Sequence, residues 1–417
     1  MRFVGLVTIL ALFLPLPLRG QEGVLTLDEA VVEVLANNPD ILAAGYRSAA
    51  ARAKVGKAKA LDDPMVGVTF DDVPLNTANV KKSEEINYRI EQKIPFPGKR
   101  YVKGKVARFE AKAVAENSRG QTSDVILDLK KTYYETYRVD RSLEVNRENQ
   151  KLLRQFLGST ETRYATGQTT ADAPLKAQVE LSKLANEEIS LEQERVTHEA
   201  HLKALMNRHI ENELRLPKTL VWPRLQTPLE EVKEKAFEMR PELGTLRQMR
   251  NRDRSQLTAA RQGLIPDFSL GFMYGQRPLT EDTWTATAMI NLPIFFWGKN
   301  RAEIREAKAS LKATEAESAS MEVHTEHEIQ QAYSAVQSSQ KIITKFEKEI
   351  LPQAKTSLEA ARLAYSTNKI DFMTLTDAAR TYKELQFSYY ENQARLGTSF
   401  AELERLSGTT FKEGEKQ

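Results

Sequence analysis

His198 and His201 stand three residues apart, and so do His324 and His327. On a helix that spacing puts two imidazoles on one face, within reach of a shared metal ion. Neither pair completes a metal motif. His198-Glu-Ala-His201 is one residue short of the zinc-protease spacing, and the Glu and Thr neighbours of both pairs suit exposed imidazoles equally well. The nine methionines are scattered, which gives no soft-metal cluster. The 417 residues contain no cysteine, so disulfides, thiolate ligands, thiol catalysis and acylation of an N-terminal cysteine fall away together. No glycine-rich phosphate loop, serine nucleophile elbow or clustered acid pair stands out, and long Glu- and Lys-rich stretches make chance carboxylate pairs uninformative. We expect no catalytic group, no resident metal and no cofactor; the chain does not read as an enzyme.

The remaining features concern architecture. Sixty Lys and Arg oppose 57 Asp and Glu, and a formal charge of +3 gives no argument for nucleic acid and little for steering. Residues 1–20 begin with Met1 and Arg2, continue through the apolar run Phe3 to Leu18 and end on Arg19 and Gly20, the layout of a secretory signal peptide. At about 16 residues that run is shorter than the roughly 20 a spanning helix needs. No later run approaches that length, so a membrane would have to be met by strands.

The chain carries one plan twice. Leu27 to Ala44 parallels Leu229 to Arg247 with Pro39 opposite Pro241; Pro64 then falls opposite Pro266, Gly98 opposite Gly298, and Tyr164 opposite Tyr365. Four landmarks keep one order at an offset near 200 residues, which predicts a first repeat over residues 21–220, a second over 221–410 and a polar tail over 411–417. Within each repeat the helical signal is long. From Arg301 onward, Ile304, Ala307, Leu311, Thr314, Ser318 and Met321, then Ile329, Ala332, Val336, Ser339, Ile343, Phe346 and Ile350, recur at spacings of three and four, with one skip near His324 and Thr325. No proline interrupts the stretch from Tyr101 to Ala173 or from Asn300 to Leu351. Continuous helices there would reach roughly 75 to 90 Å.

Period-2 segments are few and short. Ile86, Tyr88, Ile90 and Ile94 alternate with polar residues across Glu85 to Ile94. Phe268, Leu270, Phe272 and Tyr274 alternate with smaller or softer residues, as do Trp284, Ala286, Ala288, Ile290 and Leu292; Met65 to Val73 is a weaker fourth segment. Strands are therefore expected near residues 65–73, 85–94, 267–275 and 284–292. About nine residues is the length of a tilted strand crossing a bilayer, with Tyr88, Tyr274 and Trp284 suited to its interfaces. A soluble hairpin in each repeat would show the same alternation. In lipid, four strands cannot close by themselves, since closed membrane barrels begin at about eight; three copies would supply twelve.

This pattern resembles the TolC-like outer membrane factors, the outer membrane efflux protein family, and within it the CzcC and CusC heavy-metal efflux branch. The likeness spans the whole mature chain and rests on the duplication together with Ile94-Pro-Phe-Pro-Gly-Lys-Arg100, Arg163-Tyr164-Ala-Thr-Gly167 and Leu175-Lys-Ala-Gln-Val-Glu-Leu181. The resemblance implies a mainly α fold with a small β part: a long-helix coiled-coil barrel in the periplasm and a 12-stranded outer-membrane barrel completed in a homotrimer. It implies a passive exit duct for metal ions or small toxic compounds, supplied by an inner-membrane pump and a periplasmic adaptor. It places Arg163, Tyr164, Gly167, Tyr365 and Asn368 at the periplasmic tip where the adaptor docks, and Asp371 and Asp377 at a pore constriction that would bias passage towards cations. Ile86, Tyr88, Ile90, Phe268, Leu270, Phe272, Trp284 and Ile290 would face outer-membrane lipid.

Local chemistry agrees at the tip, where Gly167 and Asn368 suit a left-handed turn residue. Departures are visible as well. The second tip reads Ala364-Tyr365-Ser-Thr-Asn368, without the arginine, and Ala173 stands where the first tip's aspartate would fall. Two other readings accommodate the sequence: an outer-membrane channel for secreted polypeptides (type I secretion), and a soluble periplasmic coiled-coil scaffold.

Overall fold

The computed structural model describes residues 24–73, 79–80, 83–168, 170–209, 214–277 and 280–411; the expected signal segment within residues 1–23, residues 412–417 of the tail and several short loop segments lie outside them. Helix α1 (Leu27–Asn37) starts at a capping box in which the Glu29 amide donates to the Thr26 hydroxyl and the Thr26 amide to the Glu29 carboxylate. Asn38 stays extended because Pro39 follows it, and its side-chain oxygen accepts from the Asp40 and Ile41 amides to open α2 (Pro39–Lys59). The second half repeats this break, with α5 (Leu229–Met239) and α6 (Pro241–Gln262) separated by an extended Arg240. Pro39 and Pro241 are thus each the first residue of a helix.

Strands β1 (Met65–Asp71), β2 (Glu85–Ile94), β3 (Asp267–Gln276) and β4 (Thr283–Asn291) form one antiparallel sheet in chain order. The central β2–β3 pairing joins the two halves, with Ile90 opposite Phe272 and Ile94 opposite Phe268. Directly opposed residues share a face. One row holds Val66, Ile90, Phe272 and Ala286; the next holds Val68, Tyr88, Tyr274 and Trp284; a third holds Ile94, Phe268 and Ile290. The other face carries Asn87, Arg89, Glu91, Lys93, Thr285 and Thr287. The expected alternation is present along all four strands, although β1 stops at Asp71 rather than Val73.

Two long helical rods leave the sheet. Helix α3 (Lys99–Ala165) runs 67 residues without a break, about 100 Å at 1.5 Å per residue. Helix α7 (Lys299–Lys345) passes through a π-turn at Phe346–Ile350 into α8 (Leu351–Ser366). The expected stop before Pro352 does not occur. Proline lacks the N–H for the ordinary ladder, and the wider turn, closed by the Leu351 amide on the Phe346 carbonyl, accommodates its ring without ending the rod. The second rod, Lys299 to Ser366, therefore outruns the proline-free stretch that ends at Leu351. Two return helices, α4 (Asp172–Leu205) and α9 (Phe372–Ser407), complete the hairpins.

The seam on α7 holds as read, with Ala307, Thr314, Ser318, Ile329, Ala332, Val336, Ser339 and Ile343 buried. Thr325, at the skip, is fully buried too and accepts a 2.9 Å hydrogen bond from the Arg240 guanidinium. Three larger clusters hold the rods together. Val34, Leu129, Tyr133, Leu202 and Met206 form one; Val232, Ile329, Val336, Phe400 and Leu403 another; Leu153, Phe156, Ala177, Tyr365, Phe372 and Leu375 close the end farthest from the sheet.

Candidate functional site

The two hairpin turns at that far end have the same backbone. In the first, Gly167 (φ 72°) follows α3; its amide bonds the Tyr164 carbonyl and the Gln168 amide the Arg163 carbonyl. In the second, Asn368 (φ 56°) follows α8; its amide bonds the Tyr365 carbonyl and the Lys369 amide the Ala364 carbonyl. Both are Schellman closures, which need a left-handed residue at one position; glycine fits without strain and asparagine is the usual substitute.

The side chains break this symmetry. Arg163 extends from the first turn onto the second: its guanidinium donates to the Asn368 side-chain oxygen at 2.7 Å and to the Tyr365 and Ser366 carbonyls at 3.1 and 3.3 Å, and lies 4.5 Å from the Tyr365 ring centre. Tyr365 is buried between this guanidinium and Phe372, whose ring is 6.1 Å away. Tyr164, its sequence counterpart, is 52% exposed. The arginine missing from the second turn thus has no intrachain task, because Arg163 already clasps both turns. Sequence reading brought Arg163, Tyr365 and Asn368 to the tip but gave the tyrosines one role; Phe372, which decides the difference, carried no signal beyond being apolar.

The two aspartates differ as well. Asp371 is the N-cap of α9, accepting from the Thr374 amide at 2.9 Å and the Thr374 hydroxyl at 2.6 Å. Those hydrogen bonds, the hydroxyl's first, hold its carboxyl below the usual aspartate value. Asp377 is exposed six residues further on, 3.4 Å from Arg380, and Arg380 also reaches Glu180 of α4 at 3.0 Å. On the first turn, Asp172 pairs with Lys176 at 2.9 Å, and that hydrogen bond lowers its pKa. A 2.8 Å ion pair from Lys383 to Glu187 ties α9 to α4. Above it lies a cavity of about 190 Å³ lined by Leu153, Phe156, Glu180, Glu187, Arg380 and Lys383. Sequence reading missed these cross-links, since Glu and Lys occur throughout both helices.

The two histidines of the first pair face different partners. His198 lies 3.6 Å from Glu194, whereas His201 faces Asp128 at 3.2 Å and the Thr132 hydroxyl at 3.2 Å. Among the described residues no three His, Cys, Asp or Glu side chains converge, and no helix is long and apolar enough to cross a membrane.

At the other end, the sheet presents a broad apolar surface. Ile90, Phe268, Leu270, Phe272, Trp284 and Ile290 are exposed on one face, with Tyr88 stacked on Tyr274 at 6.4 Å and Phe272 on Trp284 at 6.2 Å. Ile86 lies on the same face, partly covered. Every strand-face residue singled out from sequence is on this side.

Comparison with known proteins follows from this geometry. No curated protein matches the chain. Solved structures with the same fold include VceC, an outer membrane protein of Vibrio cholerae, at 18% identity over 93% of this chain and 97% of that one, with a TM-score of 0.78. The CmeC outer membrane channel of Campylobacter jejuni gives 15% identity over 94% and 87%, TM-score 0.80. The MtrE outer membrane channel of Neisseria gonorrhoeae gives 19% over 94% and 91%, TM-score 0.78. The sequence profile described as outer membrane efflux protein matches residues 30–208 and 232–409, most of the molecule and both of its helical hairpins. The chain belongs to the outer membrane efflux protein family.

Proposed function

We propose that this outer-membrane efflux protein works as a homotrimer, a passive duct whose wall, gate and docking tip come from one chain in three copies, each built from repeats at residues 21–220 and 221–410. The observation that carries this reading is the sheet: four strands, one largely apolar face, and two edges, β1 and β4, without strand partners among the described residues. Hydrocarbon tolerates neither open edges nor unpaired backbone groups, so the sheet must close with other copies, and three copies give a barrel of twelve strands. The opposite face, with Asn87, Arg89, Glu91, Thr285 and Thr287, supports a water-filled bore.

The tip is the gate. Arg163 locks the two hairpins of one chain together, while the seam between chains, where an arginine at position 364 would play the same part, has Ala364 and an exposed Tyr164. Opening therefore begins between copies. Asp377, exposed and only loosely paired, is the better member of a cation-attracting ring; Asp371 is engaged in capping. Exposed Tyr164 and the turn at Gly167 are the surface an adaptor would grip. Transport energy comes from the inner-membrane pump, and the cargo class is metal ions or small toxic compounds. Single-channel recording of the purified protein in a planar bilayer tests the gate. Weak conductance that rises in Arg163→Ala supports it; a wild-type conductance already large and insensitive to Arg163 overturns it.

A further inference from the structure

The apolar face of β4 continues past the strand. Leu292, Ile294, Phe295, Phe296 and Trp297 are all exposed, Phe295 by 69%, and the three rings pack edge to face on one another at 5.4 to 5.8 Å without cover from the chain. The matching turn after β2, Pro95-Phe96-Pro97-Gly98, presents one aromatic ring, and its Phe96 amide is tied down by Asp267. The aromatic patch is therefore peculiar to the second turn, and its rings stay largely exposed.

Charge gathers at the same level. Residues 47–61, the end of α2, and 99–109, the start of α3, hold ten Lys or Arg and no Asp or Glu, although the whole chain has 60 against 57. The two segments pack directly together, Lys59 lying against Gly104. On the patch itself Arg301 sits 5.7 Å from the Phe296 ring centre. Among the described residues no carboxylate lies within 4.0 Å of Lys103, Lys105, Arg108, Lys299, Arg301 or Arg305. Bases in the first turns of α3 and α7 also oppose the helix dipole, so folding alone does not favour them there. The near-neutral net charge conceals a strongly basic band where the strands meet the rods.

We propose that this band and the Ile294–Trp297 patch form a collar that binds anionic phospholipid headgroups of the periplasmic leaflet. The proposal rests on the outer-membrane reading. Three features select lipid as the occupant: the patch is continuous with the apolar strand face, aromatic rings favour the membrane interface, and the adjoining bases, apart from Lys99 on Asp267, have no carboxylate within ion-pairing distance among the described residues.

Full-length protein in phosphatidylcholine vesicles tests it, with Trp297 as sole reporter in W222F/W284F and Trp284 in W222F/W297F. The vesicles are doped with brominated phosphatidylglycerol or brominated phosphatidylcholine. The collar predicts that Trp297 is quenched at roughly fivefold lower mole fraction of the anionic lipid than of the zwitterionic one, the effect of a single base at an anionic surface. K299E/R301E should abolish that preference and leave quenching of Trp284 intact. Equal quenching of Trp297 by both lipids overturns the headgroup site. Trp297 unquenched while Trp284 is quenched means that protein, a second copy or an adaptor, covers the patch, and also overturns it. Quenching of neither residue is a failure of the membrane reading itself.

Discussion

Arg163 makes three hydrogen bonds and a ring contact with the second hairpin, and none of these acceptors titrates in acid. The clasp should therefore hold from neutral to mildly acidic pH, and conductance should show no step between roughly pH 7 and 5, where histidine gates respond. Truncation to alanine removes interactions worth about 1–3 kcal/mol in a partly exposed setting. Lysine recovers little, since a point charge cannot serve the ring, the amide oxygen and two carbonyls together. Ala364→Arg is the complementary change: in the proposed trimer it adds an arginine to the seam between copies and should reduce the residual open-state conductance. An Ala364→Arg channel that opens more readily would contradict the seam assignment. Asp371 titrates with a defined sign. Its pKa lies below the ordinary 3.8, so its capping contribution is complete above that value and is lost as pH falls through the lowered one. Hydrogen exchange of the amides at residues 372–375 should accelerate only in strong acid, and in Asp371→Ala at every pH.

The helices show which local rules carry to tertiary structure. Close approach of α9 to α3 requires Gly397, because a methyl there would lie 2.6 Å from ring atoms of Tyr134. Gly397→Ala should destabilise by about 1–3 kcal/mol, the usual cost of overpacking, with a lower melting temperature as the readout; an unchanged melt would show that the ring moves freely aside. The strand bounds were legible in the sequence, β2 to the residue, because a one-residue slip would turn every apolar side chain to the wrong face. Helix α8 was not. Pro352 is a breaker by local rules, and only the π-turn, which has no distinctive sequence, lets the rod continue. The tip was legible in part. Gly167 and Asn368 announced the turns by backbone preference, but Tyr164 and Tyr365 have like surroundings in sequence, and their opposite burial comes from Arg163, 202 positions from Tyr365 along the chain, and from Phe372 across the turn.

For the whole molecule, the two hairpins and the shared sheet make one repeating stave, long in the rods and open at both sheet edges. In the proposed trimer, the surfaces of this stave would become a bore, a lipid belt and a gate only on assembly. Family membership sets the soluble-scaffold reading aside, and the sheet gives the reason, since its apolar face has no partner within the chain. Arginine at both Ile86 and Ile90 would place two charges on that face, each costing about 2–4 kcal/mol near mid-bilayer. The double variant should accumulate outside the outer-membrane fraction while its helical content persists; normal insertion would contradict the assignment of the lipid face.

The central claim is that three chains close one barrel, and the most direct measurement is the number of chains per particle, from light scattering of the detergent-purified protein with the detergent contribution removed. The account predicts three chains per particle, extracted from the outer membrane only with detergent. A particle of one chain, or protein recovered in the soluble fraction without detergent, would contradict it.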